Sequence, residues 1–269
     1  MGETQDTVTY CLGMLLEDGL ILMADTRTNA GVDNFSTFRK LHVLADEPGR
    51  QVYAATAGSL SVSQTVIGQL REDQLEAAED GTTRCIADAT TMFQVAQLVG
   101  EAVARSRETV GAALAKEHID HRVELLVGGR IGEGPIKLFL IYSIGNFIEC
   151  KPEVPFMQIG ETKYGRPILD RALNHATPLP EAVKVGFLSF DSTMKSNLGV
   201  AHPIDVIVLP ADPAVPAIAR RIHSDDSYFR SITDRWAEIL YESAIGLPDP
   251  DWVTGTRPAR LRRASGPGG

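Results

Sequence analysis

The sequence predicts an α+β fold in which two antiparallel sheets stack face to face and helices cover both outer faces. Three observations predict it. The chain runs strands, helices, strands, helices in blocks rather than alternating β and α; tight-turn residues join successive apolar runs; and no Pro/Gly-rich linker divides residues 9–250, which read as one domain.

The first hairpin lies within Val8 to Asp25, where two apolar runs meet at Glu17-Asp18-Gly19, an Asp-Gly turn. Thr9 then opens the first strand and Asp25 closes the second. A second hairpin follows, Leu41 to Leu44 and Val52 to Thr56, turned by Asp46-Glu47-Pro48-Gly49 and ending at Ala57-Gly58-Ser59. Beyond it the apolar spacing becomes helical: Val62, Val66, Ile67 and Leu70 share one face, and a long helix over Ile86 to Lys116 carries Met92, Val95, Ala96, Val99 and Val103. A meander comes next, with Val123 to Gly129 and Ile136 to Tyr142 flanking Arg130-Ile131-Gly132-Glu133-Gly134-Pro135, and a third run at Asn146 to Cys150. Two helices over Thr162 to Ala176 and Leu179 to Leu188, a strand over Ile204 to Leu209, and a helix over Asp225 to Ile245 with Ile232, Trp236, Ile239 and Leu240 on one side complete the order. Residues 1–8 read as an extension or a misassigned start, and 251–269 as a disordered basic tail.

A net charge of −9 gives no electrostatic footprint for nucleic acid. Cys11, Cys85 and Cys150 are odd in number and lack CxxC spacing, which argues against disulfides and thiolate zinc sites and for reduced thiols in a cytoplasmic protein. There is no signal peptide pattern and no apolar run of membrane-spanning length, so a membrane is not expected as a partner; no cofactor is expected either.

The residues that could carry chemistry cluster early. In a hairpin centred on Glu17 to Gly19, the end of the second strand returns beside the start of the first, which sets Asp25 or Arg27 against Thr9. A threonine hydroxyl is a poor nucleophile unaided; its own α-amine, with a pKa near 7.7 to 8.0, can serve as base when the threonine is residue one. Lys40, oriented by Asp25, would stabilise the alkoxide, and the Gly58 N–H at a strand-to-helix turn could meet a developing oxyanion.

Other patterns are weaker. Ser192-Thr193-Met194-Lys195 matches SxxK, but it lies late and no KTG or KSG follows. The glycines of Gly128 to Gly134 precede a strand rather than a helix, so they suit a hairpin loop and not a nucleotide cradle. His118 and His121 lack the i, i+4 pairing and the further ligands a metal needs.

Taken jointly, Thr9-Tyr10-Cys11 with Gly13, Leu22-Met23-Ala24-Asp25-Thr26-Arg27, Lys40 and Ala55-Thr56-Ala57-Gly58-Ser59 resemble the proteasome β-subunit family. The run Asp25 to Asn34, the segment Gly160-Glu161-Thr162-Lys163-Tyr164-Gly165 and Asp191-Ser192-Thr193-Met194-Lys195-Ser196-Asn197 resemble its bacterial Anbu homologues, and the likeness extends to about Ile245. It implies the four-layer αββα sandwich of N-terminal-nucleophile hydrolases, a threonine peptidase or amidohydrolase with Thr9, Asp25 and Lys40, supporting roles for Asp191 and Ser196 (or Ser192), and a homo-oligomer of many subunits. A catalytically silent assembly subunit of the same fold is the alternative. One departure concerns the start: eight residues precede Thr9, with Val8 where self-processing relatives have glycine. A GTG codon at Val8, used as the start, would restore Thr9 as residue one.

Overall fold

The computed structural model describes residues 9–29, 35–80, 84–250 and 252–253. Residues 1–8, the Ala30 to Asn34 part of the Asp25 run, and the tail from 254 lie outside them.

Strands β1 (Tyr10–Leu16) and β2 (Gly19–Asp25) form the first hairpin, and all fourteen residues are buried. Both faces of this pair are covered, so the sequence shows continuous apolar runs instead of alternation. Thr9 stands just before β1 rather than within it. A short pair, β3 (Arg27–Asn29) and β4 (Phe35–Thr37), follows, and then the second hairpin, β5 (Leu41–Glu47) and β6 (Arg50–Gly58).

Helix α1 (Leu60–Asp80) succeeds Gly58. The long helix read over Ile86 to Lys116 is broken: a 3-10 turn at Ile86–Asp88 precedes α2 (Met92–Ser106), and a π-helical turn at Arg107–Gly111 leads into α3 (Ala112–Lys116). The break has a local cause, because the Thr91 hydroxyl accepts from the Gln94 amide at 3.2 Å and starts a new helix.

The meander is β7 (Val123–Ile131), β8 (Lys137–Ile141) and β9 (Phe147–Glu149), so Arg130 and Ile131 belong to the strand and not to the loop. Strand β10 (Phe156–Gly160) was not legible in the sequence. The helix expected over Thr162 to Ala176 shrinks to α4 (Arg166–Ala172), and the next one runs past Leu188 as α5 (Leu179–Ser196). Strands β11 (Ile204–Pro210) and β12 (Ile218–Ile222) precede α6 (Ser227–Gly246).

One sheet has the order β10-β1-β2-β11-β12 and the other β5-β6-β7-β8-β9, antiparallel throughout. Between them Cys11, Leu15, Leu20 and Leu22 meet Tyr53, Ala55, Leu126 and Leu138. The alternate residues of β1, Tyr10, Leu12 and Met14, face outward onto Phe187 and Phe190 of α5. On the opposite outside, Val62, Val66, Val95, Val99 and Val103 cover Val52, Val123 and Val127. The result is the αββα sandwich of the N-terminal-nucleophile hydrolase type. On α6 the expected apolar side is only partly used: Phe229 and Thr233 are buried, whereas Ile239 and Leu240 are exposed.

Candidate active site

Antiparallel pairing brings the last residue of β2 beside the first of β1. Asp25 is fully buried there; its Oδ1 accepts from the Tyr10 amide at 3.0 Å and from Lys40 Nζ at 2.8 Å, and its Oδ2 accepts from the Arg27 amide at 3.1 Å. Lys40 Nζ also donates to the Arg27 carbonyl at 2.5 Å. The lysine is itself anchored, because its carbonyl accepts from the Thr56 amide of β6 at 2.8 Å. Burial pushes the Asp25 carboxyl up, opposed by the Lys40 ammonium and the two amides. All three donors are N–H groups, which only a carboxylate satisfies fully, so the environment is built for the charged form.

Thr9, 3% exposed, directly precedes this carboxylate's partner Tyr10. Its carbonyl accepts from the Glu161 amide at 2.7 Å. The approach needs Gly160, whose φ is +81° and on which a Cβ would lie 2.0 Å from the Thr9 carbonyl oxygen. Behind Thr9 the Tyr10 ring packs on Phe190 at 4.5 Å between centroids. Its hydroxyl accepts from Gln158 Nε2 at 2.7 Å and lies 2.7 Å from Ser189 Oγ, which in turn donates to the Gly165 carbonyl at 3.0 Å. Burial pushes the Tyr10 hydroxyl up to about 12, so this chain holds position rather than moving charge. The same cause raises the Cys11 thiol well above its usual range and leaves it a packing residue.

Gly58 ends β6 with φ +102°, and a Cβ on it would lie 2.3 Å from the Arg122 carbonyl oxygen, so glycine is required for geometry whatever else it does. Together with Gly160 it lines a cavity of about 320 Å³, whose walls include Arg122, Glu124, Glu161 and Asn197. The structure thus joins Asp25 and Lys40 directly and sets Gly58 on the cleft bordered by the Thr9 partners Gly160 and Glu161.

Asp191 and Ser196 lie on the last turns of α5. Asp191 is buried and pairs with Lys195 at 2.8 Å, whereas Ser196 is exposed and Ser192 half-buried. Their link to Thr9 is indirect: Asn197 Nδ2 donates to Glu161 Oε2 at 3.1 Å, and Glu161 holds the Thr9 carbonyl. Sequence reasoning did not assign Glu161, Asn197, Ser189 or Gln158; of these, Glu161 and Asn197 lay inside the quoted segments. Among the described residues no three His, Cys, Asp or Glu side chains gather to hold a metal, and no helix is long and apolar enough to cross a membrane.

The family model for proteasome subunits matches residues 6–209. The Anbu (Gly-1) mutant structure from Hyphomicrobium sp. strain MC1 is 38% identical, with 90% of this chain and 99% of that chain covered at a TM-score of 0.83. Anbu (ancestral beta-subunit) from Yersinia bercovieri gives 38%, 90%, 99% and 0.80. The helical assembly of the Anbu complex from Pseudomonas aeruginosa gives 37%, 94%, 99% and 0.79. A comparison with curated proteins returns no match.

Proposed function

The chain belongs to the proteasome subunit family, and from that premise we propose that it is a self-assembling amide hydrolase with Thr9 as nucleophile. The observation that carries the reading is the buried Asp25–Lys40 pair, held by the amide of the residue after Thr9. A buried ion pair is a weak stabiliser, so its presence beside a threonine at a strand end is better explained by chemistry than by folding.

In this reading residues 1–8 are absent from the working chain, and residues 9–250 form the hydrolase domain ahead of the tail 251–269. The Thr9 hydroxyl oxygen attacks the amide carbonyl while the α-amine takes the hydroxyl proton. Lys40, fixed by Asp25, stabilises the oxygen's developing charge, and the Gly58 N–H receives the oxyanion, a contribution of about 3 kcal/mol in comparable sites. Collapse of the tetrahedral intermediate breaks the C–N bond, and the α-ammonium returns its proton to the leaving amine. Water then attacks the Thr9 ester with the amine again as base, releasing the acid. Asp191 and Ser196 support the site from the end of α5, where the neighbouring Asn197 holds Glu161 and Glu161 holds the Thr9 carbonyl. Three unpaired, buried cysteines suit work in a reducing cytoplasm.

One observation favours a second reading, a silent assembly subunit: as encoded, Val8 acylates the Thr9 amine and removes the base. The two separate by intact mass and covalent labelling. Protein from its native host is expected to have a mass beginning at Thr9 and to be modified at Thr9 by a β-lactone or a peptide boronate. A chain retaining residues 1–8, or a Thr9 start that resists both reagents, leaves only the assembly role.

A further inference from the structure

The wall of the cleft contains a carboxylate that the proposed chemistry does not use. Along β7, Val123, Leu125 and Val127 face the helices, and Leu126 faces the layer between the sheets. Strand alternation therefore turns Glu124 toward the inter-sheet layer, and its register partner on β6 is Ala57, a member of that layer and the neighbour of Gly58. Glu124 stands where the apolar gap between the sheets opens into the cavity bordered by Gly58 and Gly160.

Three carboxylates line this cavity, and two are already engaged. Asp120 holds the Arg122 guanidinium through both its oxygens at 2.9 to 3.2 Å. Glu161 accepts from Asn197 Nδ2 and from the Lys163 amide at 3.1 Å each. Glu124 is half-buried and has no ion-pair or hydrogen-bond donor among the described residues. Burial pushes its carboxyl up, with Arg122 opposing. A hydrophobic residue would suit that position better for folding, since a half-buried charge without a donor costs stability. An incoming donor removes that cost.

We propose that Glu124 determines specificity in this cleft by accepting the cationic side chain of a lysine- or arginine-containing peptide. The inference deepens the reading of the cleft as the substrate site and rests on it. The charge-bearing end of such a side chain would meet Glu124 one residue from Gly58, so recognition and the oxyanion position share the edge of β6. Lys163, the remaining charged wall residue, is exposed, and with Arg122 held by Asp120 the three carboxylates of the wall outnumber its two cations.

The test measures binding, which requires no turnover. Labelled heptapeptide amides with arginine, glutamine or glutamate at the central position are titrated by fluorescence anisotropy into the full chain and into its E124Q and E124K variants. The arginine peptide is expected to bind the wild type at least about tenfold more tightly than the glutamate peptide, an advantage that falls below about threefold in E124Q and reverses in E124K. Equal affinities for the three peptides in the wild type, no binding, or an arginine preference that survives in a folded E124Q overturns the proposal; the wild-type comparison stands even where a variant fails to fold. Charge-selective binding by a chain that Thr9 reagents do not label keeps Glu124 as a recognition residue and removes the catalytic reading. Labelling at Thr9 without charge selection does the reverse.

Discussion

At the scale of single residues, the site depends on one ammonium. Lys40→Met leaves the fully buried Asp25 with two amide donors and no countercharge, and breaking a buried pair in this way costs about 3–5 kcal/mol at neutral pH. The sign of its pH dependence follows from linkage. Without Lys40 the folded-state pKa of Asp25 lies above the unfolded value of about 3.9, so the folded variant binds the proton more strongly. Stability of the variant relative to wild type therefore rises as the pH falls and is lost as the pH rises through the folded pKa. Urea unfolding at pH 8 and pH 5 is expected to show a smaller deficit at pH 5. A deficit equal at both would mean that Lys40 acts through packing of its stem and not through its charge.

At the scale of elements, the junction between β10 and β1 sets where Thr9 stands. Gly160 and Gly49 have similar dihedrals, φ +81° and +78°, but a Cβ at Gly49 meets nothing within 4 Å. Gly49→Ala is expected to cost about 1 kcal/mol for the left-handed conformation alone, and Gly160→Ala at least about 2 kcal/mol because Thr9 must also move. Thermal melts give the ranking, and equal costs would deny Gly160 its positioning role. The two hairpins were legible in the sequence because Asp18-Gly19 and Pro48-Gly49 mark turns between apolar runs, and the first of them set Asp25 against the start of β1, where it meets the Tyr10 amide and Lys40. Other elements were hidden for identifiable reasons. Strand β10 is five residues long and follows Pro152 and Pro155, while β12 reads Ile-Ala-Arg-Arg-Ile, the polar composition of an exposed edge. Helix α5 outran its expected end because Asp191 and Lys195, which look like loop residues, pair at i, i+4 on a continuing turn. Its neighbour α4 starts late because the Lys163 amide turns back to Glu161 and Pro167 stands in the first turn. The Glu161–Asn197 contact joins residues 36 apart across two helices, a relation that local periodicity does not carry.

At the scale of the whole molecule, α6 is the element least explained by the fold of one chain. Every residue from 237 to 246 is exposed, including Ile239 at 38%, Leu240 at 47%, Tyr241 at 70% and Ile245 at 58%. A helical end of this length gains little stability by itself in water, and an apolar cluster of this kind commonly marks a contact between chains. A second copy is the partner in the self-assembly reading. Each copy carries −9, so approach is opposed by like charge, and added salt should screen that repulsion while leaving apolar burial intact. Light scattering at micromolar concentration is expected to give a multiple of 29.1 kDa that grows between low and high salt. The double substitution Leu240→Glu and Ile245→Glu, at side chains outside the three buried clusters, should lower that mass while the melting temperature of the folded chain changes little. A wild-type monomer would remove assembly from the account. An undiminished mass in the double variant would move the interface to another face, and the exposed end of α6 would then need a different partner.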